Sequence, residues 1–390
     1  MKSTEISSYE VYMDRAIALA EKGRGATSPN PMVGALIIKD DRVIAEGYHE
    51  RVGEPHAEIN ALKNAVEDVT GATMVVSLEP CNHFGRTPPC TEAVIEAGIG
   101  KVVVGMVDPN PKCAGGGIKR LRDAGIEVEY GLLADKIAKQ NEAFIKYITT
   151  GRPFVVLKAA ITLDGKISEA PGKTTAITGP DTKQRVHELR NEHDAIMVGI
   201  GTVITDDPML TTRLDGVKAK NPIRVIVDSK ARTPLNSRIV KSAREVRTII
   251  AAGSRAAAAN IEDLKARGIE ALKLGRWDGA VDVELLLEEL GRLEISSVLV
   301  EGGGSLIASF VKAGMVDKYM VFVAPKLFGE SGVDFVGGKL DSARMLSITA
   351  TERFGDDILI EAYPADGKYN TGGFSRMEAS RAEAAERKQG

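Results

Sequence analysis

Apolar residues at Met13, Ala16, Ile17 and Ala20 recur at helical spacing behind a capping-box pattern at Ser7 to Glu10. This predicts a helix to about Lys22, with Gly23 as its stop. Then the period changes. Val33 to Lys39 and Arg42 to His49 are strand-like runs flanking Asp40-Asp41, which predicts a β-hairpin, and a helix is expected from about Ala57. Strand-like Thr73 to Leu78, helix-like Thr91 to Gly98, strand-like Lys101 to Asp108, helix-like Gly117 to Gly125 and strand-like Ile126 to Gly131 follow. Such alternation marks α/β units around a partly parallel sheet.

A Gly-Arg-Pro break at Gly151 to Pro153 separates this block from a second α/β series. It opens with Phe154 to Ile161 and continues through helix-like Asp181 to His193 and strand-like Asp194 to Gly199, Ile223 to Ser229 and Thr248 to Gly253. Helices from Ile261 and Val281 and strand-like Ser297 to Val300 complete it. The expected organisation is one domain over residues 1–150, a second over 151–364, and a charged tail over 365–390. The tail's alanine-, glutamate- and arginine-rich composition predicts disorder or a lone helix.

The 390 residues carry a net charge of −3 with 43% apolar residues, ordinary values that give no support to nucleic-acid binding. No apolar run approaches a membrane span, and the first ten residues lack the apolar core of a secretion signal. A cytoplasmic protein is expected, and base rates favour a closed homo-oligomer. The scarce residues are unevenly spread. All three cysteines (Cys81, Cys90, Cys113) and three of the five histidines (His49, His56, His83) fall in the first block. An odd cysteine count in such a chain argues for a metal or a reactive thiol over a disulfide framework.

His56, where a loop enters a helix, and Cys81 and Cys90, where a strand gives way to a helix, can supply zinc with three ligands. The fourth tetrahedral position is then left for water, which is the make-up of a catalytic zinc. Glu58, two residues from His56, is free to act as general acid/base in the arrangement of zinc deaminases, H-x-E followed by P-C-x-x-C. Here eight residues, not two, separate the cysteines, and the insert carries His83 and Arg86, which are expected to build part of a substrate pocket. Cys113 is read as a loop or buried cysteine. In the second block, Val300 to Ser305 is a glycine-rich turn between a strand and a helix. Taken alone, it fits a dinucleotide pyrophosphate and a ligand-free turn equally well.

Asn30 to Gly34, His56-Ala57-Glu58, Glu79 to Cys90 and Asp108 to Pro111 together resemble the bifunctional riboflavin-biosynthesis deaminase/reductase family. Leu157 to Ala160, Leu163 to Lys166, Ile177 to Gly179, Gly201 to Val203, Asp206 to Pro208, Leu210 and Arg213 match its reductase half in order. The resemblance spans about Tyr9 to Tyr363. It implies an N-terminal cytidine-deaminase-like α/β/α domain and a C-terminal dihydrofolate-reductase-like α/β domain, with Zn2+ in the first and NADPH in the second. The implied substrate is a phosphorylated pyrimidine, 2,5-diamino-6-ribosylamino-4(3H)-pyrimidinone 5′-phosphate, which loses its 2-amino group and then has its ribosyl group reduced to ribityl.

Carried over by position, Asn30, His49, His83 and Arg86 line the deaminase site. Lys158, Asp206 and Glu301 are the expected catalytic groups of the reductase, Glu301 also touching substrate. Ala160, Ala176, Thr202, Asp206, Ser229, Gly303, Gly304 and Ser305 are expected at the cofactor, and Thr174, Arg190, Leu210 and Arg213 at the substrate, the arginines suiting a phosphate. Two positions depart from the family pattern. Gly116 stands where relatives carry a basic residue, and Ala176 where many carry tryptophan, so weaker or differently posed NADPH binding is expected. Two other readings remain at this level: a nucleoside or tRNA-base deaminase, which the long insert disfavours, and a non-catalytic module binding zinc and a nucleotide.

Overall fold

The computed structural model describes residues 9–84, 88–111, 113–216 and 219–365, which form two compact units divided between Thr150 and Gly151. Ser7 of the capping-box pattern, Arg86 and the tail beyond Ala365 lie outside the described residues.

The first unit runs α1 (Glu10–Glu21), β1 (Gly34–Lys39), β2 (Arg42–Tyr48), α2 (Ala57–Asn64), β3 (Thr73–Leu78), α3 (Cys90–Glu96), β4 (Lys101–Met106), α4 (Gly116–Asp123), β5 (Glu127–Tyr130), α5 (Ala134–Gln140) and α6 (Glu142–Thr150). Its sheet order is β2-β1-β3-β4-β5, antiparallel where β1 meets β2 and β3, and parallel from β3 to β5. Strands β1, β3 and β4 bury consecutive residues, as strands covered on both faces must. The hairpin turns at Asp40 and Asp41, both left-handed (φ 50° and 58°), a twist that two-residue hairpins favour. On α1 the apolar stripe Met13, Ala16, Ile17 and Ala20 is buried as its spacing predicts, but the cap residue is Tyr9 and makes no side-chain capping bond. Helices α5 and α6 are additions that the apolar pattern did not announce.

The second unit comprises β6 (Phe154–Thr162), β7 (Lys166–Ser168), α7 (Pro180–Glu192), β8 (Ala195–Gly199), α8 (Ile200–Asp206), β9 (Ile223–Val227), α9 (Arg238–Lys241), β10 (Thr248–Ala252), α10 (Ala258–Lys265), β11 (Glu270–Lys273), α11 (Val283–Arg292), β12 (Ser297–Val300), α12 (Gly304–Ala313), β13 (Lys318–Ala324), β14 (Val333–Asp334), β15 (Leu346–Phe354) and β16 (Asp357–Pro364). A nine-stranded sheet has the order β11-β10-β9-β8-β12-β6-β13-β16-β15. It is parallel from β11 to β13, with β16 and β15 antiparallel at one edge. Strand β12 returns between β6 and β8, so chain direction through the sheet reverses there, and the C-terminal ends of strands beside such a reversal are where α/β sheets place ligands. Trp277, the chain's only tryptophan, is 87% exposed in the turn between Gly275 and Val281, which bridge across it. Among the described residues, no helix is long and apolar enough to cross a membrane.

Candidate functional site

In the first unit His56 is the cap residue of α2, in extended conformation, Cys81 lies just past β3, and Cys90 is the first residue of α3. Three chain segments thus end at one point. His56 Nδ1 stands 3.2 Å from Cys90 Sγ and 3.5 Å from Cys81 Sγ, and the three ligand atoms lie within 4.8 Å of one another. A tetrahedral zinc holds nitrogen and sulfur ligands about 3.6 Å apart, so the donor set and its spacing fit zinc with one position left over. The backbone N–H of Cys90, at the start of α3, donates to Cys81 Sγ (3.4 Å) and favours the thiolate that zinc needs. Pairing with the Cys90 thiol, helped by His56, outweighs burial and draws Cys81 down to about 4. The same pairing, together with burial, pushes Cys90 up. Contact with Cys81 raises His56 against the opposing effect of burial.

Glu58 occupies the first turn of α2 and is 3% exposed, so burial pushes its carboxyl up to about 7. Asn30 and His49 stand together beside this cluster: Asn30 Nδ2 donates to His49 Nε2 (3.2 Å) and His49 Nδ1 donates to the Pro55 carbonyl (3.1 Å). The His49 ring meets His56 edge-on at 5.4 Å, and burial lowers its pKa, keeping it neutral. His83 is exposed, its Nδ1 3.3 Å from the Cys113 thiol. Cys113 is therefore a neighbour of the site and not one of its three clustered ligands.

In the second unit a cavity of about 400 Å³ opens at the C-terminal ends of β8 and β9 and the start of α12. Thr202, Ser229, Gly303, Gly304 and Ser305 all line it. Gly303 caps α12 with φ 78°, and a Cβ on Gly304 would stand 2.8 Å from the Asp334 carbonyl, so both positions require glycine. In the wall, Asp228 is fully buried with Oδ1 unpartnered while Oδ2 is held by Thr233. A free helix N-terminus, a glycine cradle and an orphaned acceptor fit a dinucleotide. Ala160, Ala176 and Asp206 lie elsewhere: Ala160 on β6, Ala176 in an exposed loop where its carbonyl accepts from Lys326 Nζ (3.0 Å), and Asp206 at the end of α8.

A second cluster sits between α7, β6 and the turn after β12. Arg190 grips Glu301 with two parallel bonds of 2.7 Å and donates to the Thr211 carbonyl at 3.2 Å. Burial alone would raise the Glu301 carboxyl, but Arg190 and Lys158 overcome it and hold the group ionised. Lys158 is lowered, chiefly by burial and further by Arg190, against the pull of Glu301. Thr174 donates to Asp206, joining two residues that the sequence separates by a helix and a strand. Leu210 is 3% exposed with φ 51°, so its side chain belongs to the core and only its backbone is available to a ligand. His187, which sequence reasoning passed over, lies 3.3 Å from the Arg213 guanidinium and braces it. Its position on α7, three residues before Arg190, was the available signal.

A model of the cytidine and deoxycytidylate deaminase zinc-binding region matches residues 6–106, and one of the RibD C-terminal domain matches residues 153–360. The chain is 45% identical over 355 residues to the riboflavin biosynthesis protein RibD of Actinobacillus pleuropneumoniae, covering 90% of this chain and 94% of that one. It is 38% identical over 368 residues to RibD of Escherichia coli, covering 90% and 98%. Among solved structures, Acinetobacter baumannii RibD superposes with a TM-score of 0.85 at 36% identity, over 93% of this chain and 100% of that one. The diaminohydroxyphosphoribosylaminopyrimidine deaminase/5-amino-6-(5-phosphoribosylamino)uracil reductase of Thermotoga maritima gives 0.81 at 40% identity, over 92% and 99%. A zinc-type deaminase half and a reductase half on one polypeptide, matched along nearly their whole length, place this chain in the RibD family of riboflavin-biosynthesis proteins.

Proposed function

We propose that the first unit deaminates 2,5-diamino-6-ribosylamino-4(3H)-pyrimidinone 5′-phosphate by hydrolysis and that the second reduces the product's ribosyl group with NADPH, giving 5-amino-6-(5-phosphoribitylamino)uracil. The observation that carries this reading is the convergence of His56, Cys81 and Cys90 within 4.8 Å next to buried Glu58. Bound at those three ligands, zinc supplies the Lewis acid that makes water a nucleophile near neutral pH. Glu58, not needed as a ligand, takes the proton from the attacking water and delivers it to the departing amino nitrogen, which leaves as ammonia. Asn30 and the neutral His49 orient the pyrimidine, and His83 reaches its outer edge; Arg86, carried over to the same edge by the resemblance, lies outside the described residues.

In the second unit NADPH supplies the hydride that reduces C1′ of the sugar. Glu301 is held as a carboxylate by Arg190 and so acts through its charge, leaving Lys158 and Asp206 as the groups that can pass a proton to the opening ring oxygen. Thr174, Arg213 and the Leu210 backbone frame the substrate, and the remaining N–H groups of Arg190 meet its phosphate. The same reading takes the protein as a cytoplasmic homo-oligomer. Strand β15 ends the large sheet with Leu346 and Ile348 exposed (40% and 63%), an open edge of the kind that pairing between copies covers.

The test follows ammonia release and NADPH oxidation together on zinc-loaded, full-length protein given the diaminopyrimidine ribotide. Ammonia followed by stoichiometric NADPH consumption is expected. Ammonia alone would leave the second unit without its assigned activity, and neither signal in zinc-loaded protein would overturn the reading.

A further inference from the structure

One buried carboxylate next to the metal ligands has no part in the chemistry above. Glu79, two residues before Cys81, is 5% exposed and accepts four backbone N–H bonds. Its Oε2 takes those of Asp108 and Gly115 (both 3.0 Å), and its Oε1 those of Gly117 (2.8 Å) and Ile118 (3.0 Å). Both ends of the loop joining β4 to α4 are therefore tied to a single side chain. A hydroxyl or an amide could not do this, because only a carboxylate has four acceptor sites and no hydrogen.

The loop so tied lies against the metal-ligand segment. A Cβ on Gly117 would fall 2.0 Å from the Pro80 carbonyl, so glycine alone permits that approach. Asn82 Nδ2 donates to the Gly116 carbonyl (3.3 Å), and the Cys113 thiol, midway along the loop, touches His83 Nδ1 (3.3 Å). Asp108 and Cys113 both stand within electrostatic reach of Cys81.

Resting on the deaminase reading above, we propose that Glu79 is a positioning residue: by holding Asp108, Gly115, Gly117 and Ile118 it fastens one wall of the deaminase pocket and, through Cys113, sets His83 toward the substrate. It touches neither the metal nor the reacting carbon. Its loss should therefore weaken substrate binding far more than it slows the chemical step.

The test is Glu79→Gln in full-length, zinc-loaded protein. Gln retains one acceptor oxygen and turns an N–H against the amides that the other oxygen held. Amide exchange at Asp108, Gly115, Gly117 and Ile118 should quicken at least tenfold, and KM for the diaminopyrimidine ribotide should rise about tenfold or more. The deamination kcat should stay within threefold, with zinc still bound one per chain and NADPH oxidation on the pre-deaminated compound unchanged. Quickened exchange with unchanged KM would overturn the proposal, as would kcat and zinc content falling together. Should Glu79→Gln fail to fold, Glu58→Ala protein loaded with zinc decides the matter: adding the ribotide should slow exchange at the same four amides, and no slowing would overturn it. Wild-type protein that releases no ammonia from the ribotide would instead count against the deaminase reading itself.

Discussion

The two sites handle charge in opposite ways. In the first unit the polar groups point at a common centre, held by the backbone or by one another: Cys81 by the Cys90 N–H, and His49 by the Pro55 carbonyl and Asn30. A cation entering there displaces only the protons that His56, Cys81 and Cys90 share among themselves. In the second unit the groups assigned to substrate are already spent on each other, with Arg190 on Glu301, Thr174 on Asp206 and Arg213 beside His187. Three of the five N–H groups of Arg190 are engaged, so a phosphate meets the remaining two and gains more only by competing with Glu301 and the Thr211 carbonyl. A site preorganised for one small ion and a site that exchanges partners on binding should respond differently to substitution.

The largest expected effect is at Glu58. Glu58→Ala should cut ammonia release by about 10²–10⁴-fold, the usual worth of a positioned acid/base, while zinc content and NADPH oxidation on the deaminated intermediate stay as in wild type. Metal analysis alongside both assays checks this, and undiminished turnover with full zinc would sink the assignment.

Next comes the ion pair of the second unit, whose side chains are 13% and 8% exposed. Glu301→Ala leaves a buried guanidinium unpaired and should destabilise this unit by about 3–5 kcal/mol, read from denaturant midpoints, with the apolar pair Arg190→Met/Glu301→Leu recovering much of the loss. Linkage gives the pH dependence. Because the folded pKa of Glu301 lies below its ordinary 4.5, its contribution is full above that value and is lost as pH falls through the lower folded pKa. Wild-type protein should therefore lose more stability below pH 4.5 than Glu301→Ala does.

Smaller effects sharpen the contrast at the two departures from the family pattern. Ala176 is exposed and does not line the cavity, so Ala176→Trp should tighten NADPH about two- to tenfold where the bound cofactor extends to that loop, and a calorimetric titration showing no gain would place the loop away from the cofactor. No atom lies within 4 Å of a Cβ built on Gly116, and its φ is outside the left-handed region, so Gly116→Arg should fold normally. It should lower KM for deamination by a few fold and leave the reductase untouched. A raised KM would show that the side chain obstructs the pocket.

The metal centre was legible in the sequence because zinc demands rare residues, and three of them fall at element ends that the apolar pattern marks. The α/β class and most elements of the first unit followed from the same pattern, but in the second unit β7, α8, α9, β11 and β13 to β16 did not. The partner choices of the second site were not legible. Arg190 and Glu301 stand 111 positions apart, and nothing local says that two charged residues of common types will meet. Glu79 was passed over for a related reason: its partners are backbone amides, which every residue carries and no composition reveals. Helices α5 and α6 follow Gly131 and a left-handed Leu133, where short apolar stripes give too little period to register. The antiparallel edge formed by β16 and β15 escaped because β15 is exposed on both faces, so no alternation betrays it.

The placement of Trp277 bears on how this protein can be watched. With one indole in 390 residues, and that one already 87% in water, unfolding will shift its emission little, and the first unit is silent to it altogether. A flat emission trace on heating would thus say nothing about either unit. Yet the indole sits three residues before Ala280 in the cavity wall, and its emission overlaps the absorption of a reduced nicotinamide, so quenching by NADPH offers a titration signal without any added dye.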